Sequence, residues 1–373
     1  MFTRIFQLVI LSVLLTSCAA PAGQSQQNLP DWRGLNLSQD DLSNREDDLF
    51  NATFDTRTKW PSSEKLPEGF DPQQIMEIGK DPGLGVRKLH QRGITGEGIA
   101  IAIIDQVLLK DHIEYKDRLR LYEEAEDVKY EEYGPATHGA AVSSLAAGQT
   151  VGVAPGADLY YIATGNCGGA KSIEDLDFSC RANAIRRIIE INKTLPEDQK
   201  IRVLSLQFGW VPQSKGYDDI TAAVEEAKAN GIFVISSSIN ETYGLRFHGL
   251  GREPLSDPDQ FSSYLPGLWW EKDFYDGMPL KQTLLVPMDS RATASEQGPE
   301  HYVFYREGGW SWSIPYLAGM YALAAQVKPE ITPEEFWNIA LETGQTTQVE
   351  YEGKDYTLGV ILDPQALITA LEK

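Results

Sequence analysis

Two hydrophobic periods alternate along the chain. Gly98–Asp105 (GIAIAIID) is an unbroken apolar, β-branched run, which predicts a strand buried on both faces. GADLYYIAT (156–164), IRVLSLQFG (201–209) and GIFVISSS (231–238) read the same way. Helix-period segments fall between and after them. Thr137–Gly148 carries small and apolar residues at helical spacing, Ala182–Lys193 is amphipathic, and Asp218–Asn230 is stopped by Asn230-Gly231. Ser311–Val327 predicts a long apolar helix. ITPEEFWNIALETG (331–344) predicts another, with Thr332 as N-cap and Glu335 completing a capping box. This alternation predicts an α/β fold with a mostly parallel central sheet and helices on both faces. Residues 241–308 read as irregular, with at least one strand in LKQTLLVPMDSRATAS (280–295).

The N-terminal part follows a different logic. Arg4 precedes an apolar core, Phe6–Leu15, that is too short for a membrane span. Leu15-Thr16-Ser17-Cys18 resembles a bacterial lipobox. That resemblance implies a signal peptide over 1–17, cleavage before Cys18, a lipid on that cysteine and a polar tether over 18–33. The expected location is a bacterial membrane, cell surface or periplasm-facing, with the protein exported and held by its lipid. In residues 34–82, Leu37 and Leu42 are five apart, as are Leu49 and Phe54. The segment resembles the closing turns of a pentapeptide-repeat solenoid, and it is expected to pack on the main domain or stay loosely ordered. The main domain is expected over 83–373.

Composition narrows the partners. The chain has 373 residues and a formal charge of −21 with no basic stripe, which excludes nucleic acid as a partner. Cys167 and Cys180 are expected to form a disulfide in an exported protein, and no histidine lies near them at metal-ligand spacing. The acidic run Tyr122–Glu132 reads as a solvated helix or loop rather than a metal site.

Acyl transfer needs a hydroxyl, an imidazole, a carboxylate and donors for an oxyanion. Four residues stand where strands end or helices begin: Asp105, His138, Asn240 and Ser311. Each alone reads as a turn former or helix cap; their joint order changes that. GITGEGIAIAIIDQ, THGAAVSSLAAG, VGVAPGADLYYI, VLSLQFG, GIFVISSSIN and GGWSWSIPYLAGMYALAAQ resemble, in order, six segments of the subtilisin-like serine peptidases (subtilases), over about residues 83–345.

The resemblance implies a three-layer subtilisin-like sandwich. In it, Asp105, His138 and Ser311 form the triad, Asn240 supplies the oxyanion amide, and the strand near Gly209 pairs with an extended peptide or protein substrate. The Cys167–Cys180 loop would border the cleft. It implies no organic cofactor. Calcium is common in the family, but no site for it is identifiable here. An inhibitory propeptide is also common, and residues 19–82 do not clearly resemble one.

The departures from the family are bulky. Gln106-Val107 follow the aspartate, Trp310 precedes the serine, Ile239 precedes Asn240, and Gln207-Phe208 occupy a normally small site. Phe208 and Trp310 are therefore expected at the substrate pockets, reshaping or filling them. The expected function is a lipid-anchored serine endopeptidase. The alternative is a catalytically silent subtilase-fold lipoprotein that binds a peptide or protein. No G-x-S-x-G elbow surrounds Ser311, which argues against an α/β-hydrolase.

Overall fold

The computed structural model describes residues 29–126, 128, 134–165 and 176–373. Cys18 and Cys167, with the signal-peptide and lipid-anchor readings, lie outside the described residues.

The central sheet has five parallel strands. Their spatial order is Leu119–Glu124, Asp158–Ala163, Ala100–Asp105, Ile201–Leu206 and Phe233–Ser236. Ala100–Asp105 lies in the middle and is buried throughout. Because side chains alternate across a strand, it feeds two cores. Ile101 and Ile103 join one core with the helices Thr137–Ala147 and Trp310–Val327. Ala100, Ala102 and Ile104 join the other with Ser179–Thr194 and Tyr217–Ala229. This is the expected three-layer sandwich, and each helix lies within a few residues of its predicted bounds.

Thr332 caps the helix Pro333–Thr343 as expected, accepting from the Glu335 N–H at 3.1 Å. The reciprocal half of the capping box does not form, because the Glu335 carboxylate pairs with Lys328 Nζ at 2.5 Å instead.

Two expectations are corrected. Residues 241–308 are not irregular: they hold the strands Arg246–Arg252, Tyr264–Pro266, Thr283–Pro287, Arg291–Ala294 and Tyr302–Tyr305. The first three join a hairpin of Gln345–Tyr351 and Lys354–Ile361 in a mixed five-stranded sheet. Tyr122–Glu124 of the acidic run belong to an edge strand rather than a helix or loop.

Of the two outcomes expected for the N-terminal segment, the structure shows the first: it packs on the main domain. The backbone N–H groups of Trp32, Leu37 and Leu42, five residues apart, donate to the carbonyls of Thr53, Lys59 and Lys65. Its apolar residues Leu49, Ala52, Phe54 and Ile75 belong to the same core as the helices Thr137–Ala147 and Trp310–Val327. Phe54–Asp55 pairs antiparallel with Tyr302–Tyr305, which pairs in turn with Arg291–Ala294. Among the described residues no helix is long and apolar enough to cross a membrane.

Candidate active site

In an open parallel sheet, ligands bind beyond the carboxyl ends of strands where the winding direction reverses. Here the chain runs from the central strand to one edge, returns, and then proceeds to the other edge. At that reversal the three middle strands end in Asp105-Gln106, Thr164-Gly165 and Gln207–Gly209, which line a pocket together with His138.

Asp105 terminates the central strand and is 7% exposed. Its Oδ1 accepts the backbone N–H of Gln106 at 2.7 Å and Nδ1–H of His138 at 2.8 Å. With Nδ1 donating, Nε2 of His138 is left as a proton acceptor. His138 is the second residue of its helix, and Gly139 follows. A Cβ on Gly139 would stand 2.5 Å from the Tyr161 hydroxyl oxygen and 2.9 Å from the Gln106 carbonyl. Glycine thus lets the helix start lie against the strand end. Burial disfavours the charged imidazole, but the Asp105 charge and hydrogen bond outweigh it and raise the His138 pKa above its ordinary value. The ring edge meets Trp312, with centroids 5.7 Å apart.

Ser311 is the second residue of the helix Trp310–Val327, whose N-terminus favours negative charge. Pro315, four residues on, has no N–H to bond the Ser311 carbonyl. The Ser311 hydroxyl donates to the Gln207 carbonyl at 3.4 Å, and no hydrogen bond joins it to His138 among the described residues. The turn before the helix is fixed by Asp289, which is 2% exposed. Its two oxygens accept the N–H groups of Gly308 and Leu268, each at 2.8 Å. Burial pushes the Asp289 carboxyl up to about 7, against those two hydrogen bonds and the Arg306 charge.

The remaining sequence candidates divide. Gly209 and Phe208 line the pocket. Gly209 sits in close quarters: a Cβ there would lie 3.0 Å from both the Ser237 Cβ and the Ser238 Oγ. Phe208 faces Phe178 at 5.9 Å and Trp210 at 6.2 Å, and the Arg181 guanidinium lies 4.7 Å over its ring.

Trp310 is not among the residues lining that pocket. It packs on the second sheet, 5.2 Å from Phe247, 5.2 Å from His248 and 5.4 Å from Trp269. Asn240 sits exposed on the short helix Ile239–Tyr243, where its Oδ1 accepts from Arg246 Nε at 3.2 Å. No hydrogen bond links it to Ser311 among the described residues. Cys180 is disulfide-bonded at the start of the helix Ser179–Thr194.

Sequence reasoning missed Phe178, Arg181, Trp210 and Ser238. Phe178 and Arg181 are three apart, at a helix start and just beyond it, a spacing with no signal of its own. Ser238 ties two strand ends together, accepting the Trp210 N–H at 2.8 Å and donating to its carbonyl at 2.9 Å.

Comparison with known proteins bears on the family and the fold. Residues 96–272 match the family model Peptidase_S8, the Subtilase family. Asp105, His138 and Asn240 fall inside that match, and Ser311 falls beyond it. Serine protease AprX of Bacillus subtilis (strain 168) is 23% identical over 283 residues, covering 65% of this chain and 60% of that protein. The chain therefore spans less than two thirds of that relative's length. Among solved structures, the prenylagaramide maturation protease PagA superposes with a TM-score of 0.52 at 16% identity, over 77% of this chain and 98% of that one. The PatG macrocyclase domain gives 0.49 at 15% identity, over 77% and 94%. Over residues 96–272 this chain is thus similar to the subtilase family, and it has the fold of a subtilisin-like serine peptidase.

Proposed function

We propose that the protein is an exported, lipid-anchored serine endopeptidase that cleaves peptide or protein substrates through an acyl-enzyme. The observation that carries this reading is the 2.8 Å Asp105–His138 pair, set at the carboxyl end of the central strand beside a pocket. A carboxylate in that place orients the imidazole and stabilises its cation, which is what a serine nucleophile requires of its base.

In the reaction, Ser311 Oγ leaves the Gln207 carbonyl and bonds to His138 Nε2. As Oγ attacks the scissile carbonyl, its proton passes to Nε2. The tetrahedral oxyanion is held by the Ser311 backbone N–H and by the Asn240 side-chain amide once it turns from its exposed place beside Arg246 into the cleft, each such donor contributing about 3 kcal/mol. His138 then returns the proton to the departing amine, and water hydrolyses the acyl-enzyme by the same steps. Catalytic hydrogen bonds are often long before substrate binds, so the 3.4 Å contact to Gln207 is compatible with this resting state.

Two observations favour a second reading, a silent peptide-binding lipoprotein. Among the described residues Ser311 has no hydrogen bond to its base, and Phe208 with Phe178 occupies part of the cleft wall. Hydrolysis of a peptide library by the signal-free protein, compared with Ser311→Ala and His138→Ala, separates the two. Cleavage abolished by both substitutions supports the peptidase. Saturable peptide binding without cleavage in all three supports the silent reading.

A further inference from the structure

Residues 29–82 sit close to the proposed base through a short series of side chains. Arg33 is held by Asp31, with Nε to Oδ1 at 2.9 Å and Nη2 to Oδ2 at 2.6 Å. Its Nη1 donates to the Tyr305 hydroxyl at 3.4 Å, and its guanidinium carbon lies 5.7 Å from that ring centroid. Tyr305 meets Trp312 edge to face at 5.0 Å, and Trp312 meets His138 at 5.7 Å.

The backbone is fastened in parallel with this series. Phe54–Asp55 forms the outer strand beside Val303-Phe304, and Thr56 N–H donates to the Tyr302 carbonyl at 3.0 Å. The helix Pro72–Gly79 closes tightly on the same strands: a Cβ on Gly79 would stand 2.9 Å from both the Ala292 nitrogen and the Phe304 ring. Only five residues separate Tyr305 from Ser311. Removing 29–82 would strip the partner strand from Tyr302–Tyr305 and expose Phe304, which is 1% exposed in the intact chain.

We infer that residues 29–82 are a retained, working part of the peptidase rather than a removable inhibitor, and that Tyr305 is a positioning residue that sets His138 through Trp312. This rests on the peptidase reading for its catalytic consequence but not for its geometry. Edge-to-face ring contacts contribute about 0.5–1.5 kcal/mol beyond buried area, enough to favour one ring orientation over another. A base displaced by about 1 Å costs on the order of 100-fold in rate.

The test uses the signal-free chain, otherwise full length, with Tyr305→Leu and Arg33→Ala, and with Tyr305→Phe as the conservative partner. Two quantities are read. One is the His138 imidazole titration by NMR, with the resonance assigned by His138→Gln. The other is the rate and intact mass of fluorophosphonate labelling at Ser311. We expect Tyr305→Leu, with native circular dichroism, to shift the His138 midpoint and to slow labelling about 10–100-fold. Tyr305→Phe should restore the titration, and the labelled species should retain residues 29–82.

An unchanged midpoint and rate in a folded Tyr305→Leu would overturn the positioning role. A labelled mass that begins after residue 82 would overturn the retention. If the wild type takes no label while Tyr305→Leu still moves the His138 midpoint, the peptidase reading fails and the positioning stands. If Tyr305→Leu does not fold, Arg33→Ala, half-buried at the edge of the series, carries the same comparison.

Discussion

Replacing Asp105 by Asn isolates what the carboxylate charge does, because of how its donors converge. The Gln106 N–H and the His138 Nδ1–H both point at Oδ1. The asparagine carbonyl oxygen can take that place and keep both bonds, so the imidazole keeps its tautomer and its orientation. What is lost is the negative charge facing the imidazolium that forms as Ser311 gives up its proton. With charge centres ~4 Å apart at an effective dielectric of ~20, that interaction is about 4 kcal/mol. At about 1.4 kcal/mol per tenfold, the expected loss is roughly 1,000-fold in reactivity of Ser311.

A second signature is independent of the rate. In the wild type, burial disfavours the His138 cation and Asp105 overrides it, so the neutral, basic form appears only as the pH rises through a value above the ordinary 6.5. In Asp105→Asn burial acts unopposed, and the midpoint should fall below that value. The assay is the second-order rate of fluorophosphonate reaction at Ser311 across pH. A slower reaction whose midpoint moves to lower pH is the expected result. An unmoved midpoint, or a rate within about tenfold of wild type, would refute the reasoning.

Three further outcomes follow from the same geometry. Asp289, with its pKa raised from 3.8 to about 7, takes up a proton more readily folded than unfolded. Its contribution to stability is therefore fully present below pH 3.8 and is lost as the pH rises through about 7. Urea titrations should show that loss in the wild type and not in Asp289→Asn. Gly139→Ala should destabilise by about 1–3 kcal/mol and slow Ser311 labelling, since the added carbon meets the Tyr161 hydroxyl and the Gln106 carbonyl; a variant with wild-type melting and rate would contradict the close fit. Thr332→Ala should cost about 1 kcal/mol through loss of the helix cap while leaving labelling unchanged.

The Asp105–His138 pair was legible because both residues lie at ends of unmistakable elements. A strand such as Ala100–Asp105, apolar at every position before its last, has one reading, and the first polar residue after it falls where the sheet presents ligands. The second sheet was legible only at Thr283–Pro287. Its strands Arg246–Arg252 and Tyr264–Pro266 are short and carry Gly249, Gly251 and Pro266, which interrupt the period-two pattern. The hairpin Gln345–Ile361 is mostly exposed and polar on both faces, so no alternation marks it.

Trp310 was misdirected for a physical reason. The side from which a helix-start residue projects depends on the helix's rotation against the sheet, and that is set by distant partners: here Phe247, His248 and Trp269 draw the ring away from the pocket. The Phe178–Phe208 wall, backed by Trp210, combines three separate positions that no local pattern connects. The N-terminal segment showed a five-residue spacing in sequence, but its docking on Tyr302–Tyr305 is a long-range pairing that spacing does not encode.

The central claim is that Asp105, His138 and Ser311 act as one nucleophilic unit, and fluorophosphonate labelling of the purified, signal-free protein tests it most directly. The account predicts a single adduct that maps to Ser311, is absent in Ser311→Ala and is lost in His138→Ala. Folded protein that takes no adduct at Ser311, or takes it equally without His138, would contradict it.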